Sequence, residues 1–302
     1  MALRQLRRLA PPARVSLYDE MAAQALHALY FRRDIERVER AHPELIVRDG
    51  ANVLLAQPAG AAKLAYSYES DRAFTELFPP MLDVLLPRVR RALRADSVRF
   101  RLSHSPSRPL VEPVLKRLLF QPKRDWMEFE VTRGAASRPP ALSGVRFRDA
   151  SADDAGAVAR IDREAFPDTP LPPAAQRALI ESGEEPALLA LRHGEVVGFC
   201  SYGQHDPGAG YIHTLAVAEA ARREGVGEAL TARVLKRLFA GGAGRVALTT
   251  DADNTPAIRL YLKLGFRQTR AGRDYERPAD PKAVERLARQ SQGTLIKFGG
   301  WR

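Results

Sequence analysis

Cysteine is almost missing from the chain: Cys200 is the only one in 302 residues. No intrachain disulfide can form, and an oxidising compartment gains no support. Lysine is scarce as well. Of the 47 basic residues only seven are lysines, and neither a run of five or more basic side chains nor an arginine–aromatic stripe occurs. A nucleic-acid interface therefore lacks a sequence footprint, despite a formal net charge of +11. No stretch approaches ~18 uninterrupted apolar residues. Residues 1–14 are basic and free of acids but have no apolar core of signal-peptide length. Neither membrane nor nucleic acid is expected as a partner, and the cytoplasm is the default location.

What is present is ordinary globular material, with 45% hydrophobic and 27% charged residues. The length suits two domains, each burying its own core. Gly, Ser, Ala and Pro dominate residues 133–144 without apolar periodicity, which marks a solvated connection. The reading divides the chain into a domain over 1–134, a linker over 135–144 and a domain over 145–302.

In the second domain, residues 145–148 alternate like a strand, and Ser151 with Asp153 and Asp154 opens a helix running to about 166. A short helix over 174–182 follows, then strands over 187–191 and 195–202 around His193-Gly194, and a strand over 211–217. An amphipathic helix over 225–239, a strand over 245–250 and a helix over 256–264 complete the series. The mixture predicts an α/β fold of the α+β type with a mixed sheet. In the first domain, strands at 45–48, 53–57, 63–69, 98–102 and 126–131, with helices at 81–93 and 110–119, form a weaker version of the same ending. Two tandem copies of one fold are expected.

The informative stretch runs through Leu215, Ala216, Val217, Arg222, Arg223, Gly225, Val226, Gly227 and Glu228. A strand ends, a basic and glycine-bearing turn follows, and a helix begins. Glycines let the backbone approach a ligand, and the unpaired amides of a helix start bind phosphate. Plain turn chemistry would use the same residues. Further on, Asn254 stands just before a helix, Tyr261 within it and Gly265-Phe266 just after it.

Together these two stretches resemble the GNAT superfamily of acyl-CoA-dependent N-acyltransferases. Arg222-x-x-Gly225-x-Gly227 is similar to that family's pyrophosphate loop, and the run from Asn254 through Tyr261 to Gly265-Phe266 is similar to its second motif. The resemblance covers about 145–275. It implies a sheet splayed between its fourth and fifth strands, with acetyl-CoA as co-substrate and no metal. The backbone at Leu215, Ala216 and Val217 would pair with pantetheine, while the loop through Arg222, Arg223, Gly225, Val226, Gly227 and Glu228 would take the pyrophosphate. A positive field suits such a polyanion. Asn254 would bond the cofactor, or simply cap its helix. Tyr261 would protonate or hydrogen-bond the departing thiolate.

His213 is the candidate base for the acceptor amine, since a strand from 211 to 217 puts Tyr211, His213 and Leu215 on one face. A packed strand histidine is the alternative. Glu164, Asp168 and Glu219 are weaker candidates. The implied activity is transfer of an acetyl group to a primary amine of a small molecule or peptide. The competing reading is a non-catalytic CoA-binding or regulatory protein of the same fold. Monomer and homodimer both stay open.

The first domain departs from the pattern at each functional position: no Arg-x-x-Gly-x-Gly precedes its helix, Leu119 stands for the glycine and Leu115 for the tyrosine. It reads as a degenerate copy with a structural or acceptor-shaping role, and tandem GNAT proteins of the mycothiol synthase type offer an architectural analogy. After Tyr275, residues 281–290 read as a helix inserted before a last strand at 294–298.

Overall fold

The computed structural model describes residues 16–28, 31–58, 61–135, 142–206 and 208–298. Contacts divide the chain into two compact units. The first comprises Met1–Pro122 with Tyr275–Arg302, the second Lys123–Asp274. This differs from the division at 135–144, most of which lies outside the described residues. No helix of the described residues is long and apolar enough to cross a membrane.

The first unit holds α1 (Leu17–Ala22), β1 (Leu26–Ala28), α2 (Arg32–Ala41), β2 (Ile46–Asp49), β3 (Asn52–Gln57), β4 (Ala62–Tyr68), α3 (Asp71–Leu93), β5 (Ser97–Ser103) and α4 (Arg108–Arg117). Its sheet runs β2-β3-β4-β5, with β1 on β4. α3 starts ten residues earlier than residues 81–93 predict, because Ser70 Oγ accepts from Ala73 N–H at 3.1 Å and caps it. The helix carries Pro79 and Pro80 and buries Phe74, Phe78, Met81, Leu82, Leu85, Leu86 and Val89. These pack on Tyr66, Tyr68 and Phe100 in one aromatic core.

β6 (Gln121–Thr132) enters the second unit, which continues with β7 (Val145–Asp149), α5 (Ala155–Ala165), α6 (Pro173–Ser182), β8 (Ala187–Arg192), β9 (Glu195–Asp206), β10 (Ala209–Val217), α7 (Val226–Ala240), β11 (Arg245–Asp251), α8 (Thr255–Lys263) and β12 (Arg267–Pro278). The order is β7-β8-β9-β10-β11-β6-β12. From Tyr275 onward β12 belongs to the first unit, where it lies beside β5 and leads into α9 (Pro281–Phe298).

Two expectations need correction here. Residues 294–298 continue α9 and are not a strand. Asp280 caps that helix by accepting from Ala283 N–H at 3.1 Å, and propagation past a formed start is cheaper than five residues of alternation can oppose. α9 is thus no insert between two strands. The strand beside β11 is instead β6, whose residues 123–132 precede the linker.

The tandem repeat has a geometric signature. After α4, Phe120 N–H bonds to Leu115 O at 2.9 Å and Leu119 N–H to Lys116 O at 3.0 Å. After α8, Phe266 N–H bonds to Tyr261 O at 3.0 Å and Gly265 N–H to Leu262 O at 3.1 Å. Leu119 has φ 62° and Gly265 φ 90°. Both helices end in the same left-handed cap, so Leu115 and Tyr261 occupy corresponding positions.

Candidate active site

β10 and β11 run parallel through Ala209↔Arg245, Gly210↔Val246, Tyr211↔Ala247 and Ile212↔Leu248, and no further. Yet β10 continues to Val217, paired with β9, and β11 to Asp251, paired with β6. The sheet therefore splits between its fourth and fifth strands, as the resemblance implies. The cause lies in the register with β9, where Ile212 pairs Tyr202 but Thr214 pairs Ser201. One extra residue, His213, bulges out and bends β10 away from β11. At the fork, Tyr211 Oη donates to Thr249 Oγ1 at 2.9 Å.

The bulge also overturns one reading. Ile212, Leu215 and Val217 pack in the cluster formed with α7 and α8, whereas Ala216 joins the cluster of α5. Thr214 lines a cavity with α6 residues Gln176 and Leu179. Leu215 therefore does not share a face with Tyr211 and His213, because the extra residue reverses the alternation beyond it. The rings of Tyr211 and His213 do remain neighbours, 5.2 Å apart.

Antiparallel pairs alternate between residues that exchange hydrogen bonds and residues that do not. Ala218 N–H bonds to Val197 O at 2.9 Å. Counting back along an unbroken register, Ala216 and Thr214 also bond toward β9, while Leu215 and Val217 direct their N–H and C=O into the split. Val217 O accordingly accepts from Arg222 Nε at 3.0 Å.

The turn from β10 to α7 is held by an ion pair of Glu224 with Arg192, which holds the Glu224 carboxyl below the usual carboxylate range. Arg223 and Gly225 take left-handed φ values of 64° and 82°. Gly225 is the N-cap of α7 and offers no side chain to its amides. The first helical bond is Ala229 N–H to Gly225 O at 2.9 Å, so Val226, Gly227 and Glu228 have amides without a protein acceptor among the described residues. A Cβ on Gly227 would meet Leu260, Val217 and Leu215 at 3.6 to 3.8 Å, which is ordinary contact. Packing does not require glycine there. An uncrowded glycine at an open, uncapped helix mouth fits a bound phosphate, so this cradle suits the pyrophosphate of acetyl-CoA. Glu228 carries its side chain to Lys263 Nζ at 2.6 Å.

Tyr261 is 7% exposed and sits among Phe129, Phe266 and residues of α7. Its hydroxyl has no hydrogen-bond partner in the protein among the described residues, and burial pushes its proton dissociation well above the usual phenol range. Cys200 is fully buried, and its thiol is pushed up for the same reason. Asn254 serves as the α8 cap, its Oδ1 accepting from Ala257 N–H and its Nδ2 donating to Thr250 Oγ1, each at 3.3 Å. Gly265 is demanded by the fold, since a Cβ would lie 2.2 Å from Ala135 O.

His213 is largely buried, with Nδ1 3.9 Å from Glu185 Oε1. Glu185, Gln176, Ser201 and Thr214 line a small cavity of about 30 Å³ against Phe199 and Leu171. Of the weaker base candidates, the Glu164 carboxylate accepts from Glu219 N–H, a structural bond across the turn after β10. Sequence reasoning misses Glu185 and Thr249. Glu185 stands just before β8 with no spacing signal, and Thr249 becomes meaningful only once the fork is seen.

The split, the uncapped helix start and the tyrosine helix all lie within one stretch of similarity. A family model described as "Acetyltransferase (GNAT) family" matches residues 156–266. Residues 156–266 are a GNAT domain. Among curated relatives, a mycothiol acetyltransferase of Pseudarthrobacter chlorophenolicus is 34% identical over 164 residues, 49% of this chain and 50% of that protein. Another, of Sanguibacter keddieii, is 40% identical over 102 residues, 32% of each chain. The chain thus matches half or less of the length of these two relatives. The solved GCN5-related N-acetyltransferase of Sphaerobacter thermophilus has a TM-score of 0.63 at 19% identity, over 76% of this chain and 77% of that one. A tandem GNAT protein from the clavulanic acid biosynthesis pathway gives 0.59 at 14%, over 82% and 87%. These two structures show that the GNAT fold extends beyond the matched domain.

Proposed function

We propose that the second unit moves an acetyl group from acetyl-CoA to a primary amine of a small molecule or peptide by direct attack, without a covalent enzyme intermediate. The observation that carries this reading is the fork after Ile212↔Leu248, which opens onto the uncapped start of α7. The amide and carbonyl groups of Leu215 and Val217 face that opening and match what an extended pantetheine amide chain needs. When bound, acetyl-CoA supplies a thioester-activated acetyl group.

The chain's own residues would handle the two protons. A neutral His213 takes the proton that the amine releases on attack, and Glu185 at 3.9 Å stabilises the resulting imidazolium. Tyr261, a phenol and so protonated at neutral pH, would hydrogen-bond or protonate the leaving thiolate. Backbone N–H groups at the fork would stabilise the oxyanion. The small cavity lined by Glu185, Gln176, Ser201 and Thr214 would take the acceptor's ammonium group alone, its carboxylate suited to that charge. The curated relatives are named for mycothiol, and the amine that mycothiol acetylation would consume is the first acceptor to try.

The test is chromatography of CoA and acetylated product after mixing the full chain with acetyl-CoA and a panel of amines that includes this precursor. Formation of CoA and an acetylated amine in equal amounts supports the reading. Tight acetyl-CoA binding without turnover on any amine favours the non-catalytic alternative.

A further inference from the structure

The first unit contains the same split. β4 and β5 pair in parallel only through Ala62↔Val98, Lys63↔Arg99 and Leu64↔Phe100, although β4 continues to Tyr68 and β5 to Ser103. Leu64↔Phe100 corresponds to Ile212↔Leu248 of the second unit. Two partners further along the neighbouring antiparallel strand, Tyr66 lies opposite Leu54 just as Leu215 lies opposite Cys200. Tyr66, Ser67 and Tyr68 therefore stand where Leu215, Ala216 and Val217 stand.

In the first unit that edge is taken. β3 holds one side of β4, and β1 pairs antiparallel with the other through Leu26↔Tyr68, His27↔Ser67 and Ala28↔Tyr66. We propose that β1 is an intrachain occupant of this split, standing where an acyl-CoA pantetheine arm would pair, and that it closes the first unit to acyl-CoA. The comparison rests on the second unit's being the cofactor unit.

Two observations independent of β1 agree. The opening is also bridged by side chains: the Tyr66 ring stacks on Phe100 with centroids 4.5 Å apart, and Tyr66 Oη donates to Arg101 O at 3.1 Å. The helix start is closed as well. Only Glu69 and Ser70 separate β4 from α3, so no loop cradles a phosphate. Ser70 Oγ takes the Ala73 amide, and Asp71 puts negative charge in the first turn, where a phosphate would need the positive end of the helix for itself. An added strand satisfies the backbone of β4 as a strand-like ligand would. Being tethered, it competes at an effective concentration of about millimolar, which free acetyl-CoA at micromolar levels does not overcome.

The test is calorimetric titration of acetyl-CoA into the full chain and into Gly227→Glu, with hydrogen exchange of residues 26–28 and 66–68 followed at saturation. One site in the wild type, none in Gly227→Glu and unchanged exchange at 26–28 and 66–68 is the expected result. Two sites, one surviving in Gly227→Glu, would overturn the proposal and leave the reading of the second unit standing. A single site that survives in Gly227→Glu and speeds exchange at 26–28 would overturn both. No binding in any variant, with 26–28 and 66–68 protected throughout, removes the cofactor reading of the second unit and upholds a closed first unit.

Discussion

Arg222 Nε donates to the carbonyl of Val217, 3.0 Å away, and so ties the turn at the mouth of α7 to the strand edge that faces the split. This bond links the two ends of the proposed cofactor site. Arg222 is exposed, and a single hydrogen bond contributes about 0.5–1.5 kcal/mol net. Arg222→Ala should therefore weaken acetyl-CoA binding by about 3- to 10-fold with almost no change in melting temperature. Titration beside a thermal melt checks both.

The two glycines should separate stability from binding. Gly225 holds φ 82°, so Gly225→Ala should destabilise the fold by about 1 kcal/mol. Gly227 lies in helical backbone with room for a methyl group. Gly227→Ala should stabilise the fold by about 0.5–1 kcal/mol while lowering acetyl-CoA affinity by tenfold or more. Denaturant unfolding with parallel titration would show opposite signs for the second variant, and equal binding in Gly227→Ala and wild type would remove the phosphate role of this helix start.

Tyr261→Phe deletes a buried hydroxyl that has no protein partner among the described residues, so no bond is lost and stability should hold. The rate should not. Loss of the proton donor predicts a fall in kcat of about 100-fold with KM little changed. Steady-state kinetics on any accepted amine decides this, and a pure KM effect would make Tyr261 a packing residue.

Asp154 accepts from Arg148 through two bonds of 2.7 Å, and from Ser151 N–H and Oγ–H at 2.8 and 2.9 Å. Arg148 is the main reason that its carboxyl titrates far below the usual range. A lowered carboxyl in the native state contributes stability that is complete above the unfolded value, about 3.9, and is lost as pH falls below it. Asp154→Asn should cost about 1–2 kcal/mol at pH 7, and the gap to wild type should close below about pH 4. Urea unfolding across pH tests the sign.

Much of the site is legible because it is local. The candidates Gly225, Gly227, Asn254 and Tyr261 lie in or just beyond single strand–helix junctions, where spacing along the chain fixes geometry. The bulge at His213 is different: it exists only in the register against β9, and it moves Leu215 to the other face, which alternation alone cannot foresee. The strand beside β11 is likewise a tertiary choice, since nothing in residues 123–132 says which neighbour they join. β1 is three residues long and carries no periodicity. Gly265 shows the converse, a motif glycine whose reason is steric, with Ala135 O standing where a Cβ would go.

The most direct test of the account is hydrogen exchange of the second unit with and without saturating acetyl-CoA. Slowed exchange at the amides of Leu215 and Val217 and at 226–228 is predicted, with residues 66–68 unaffected. Protection that appears elsewhere while these amides exchange unchanged would contradict the claim that the fork and the start of α7 form the acetyl-CoA site.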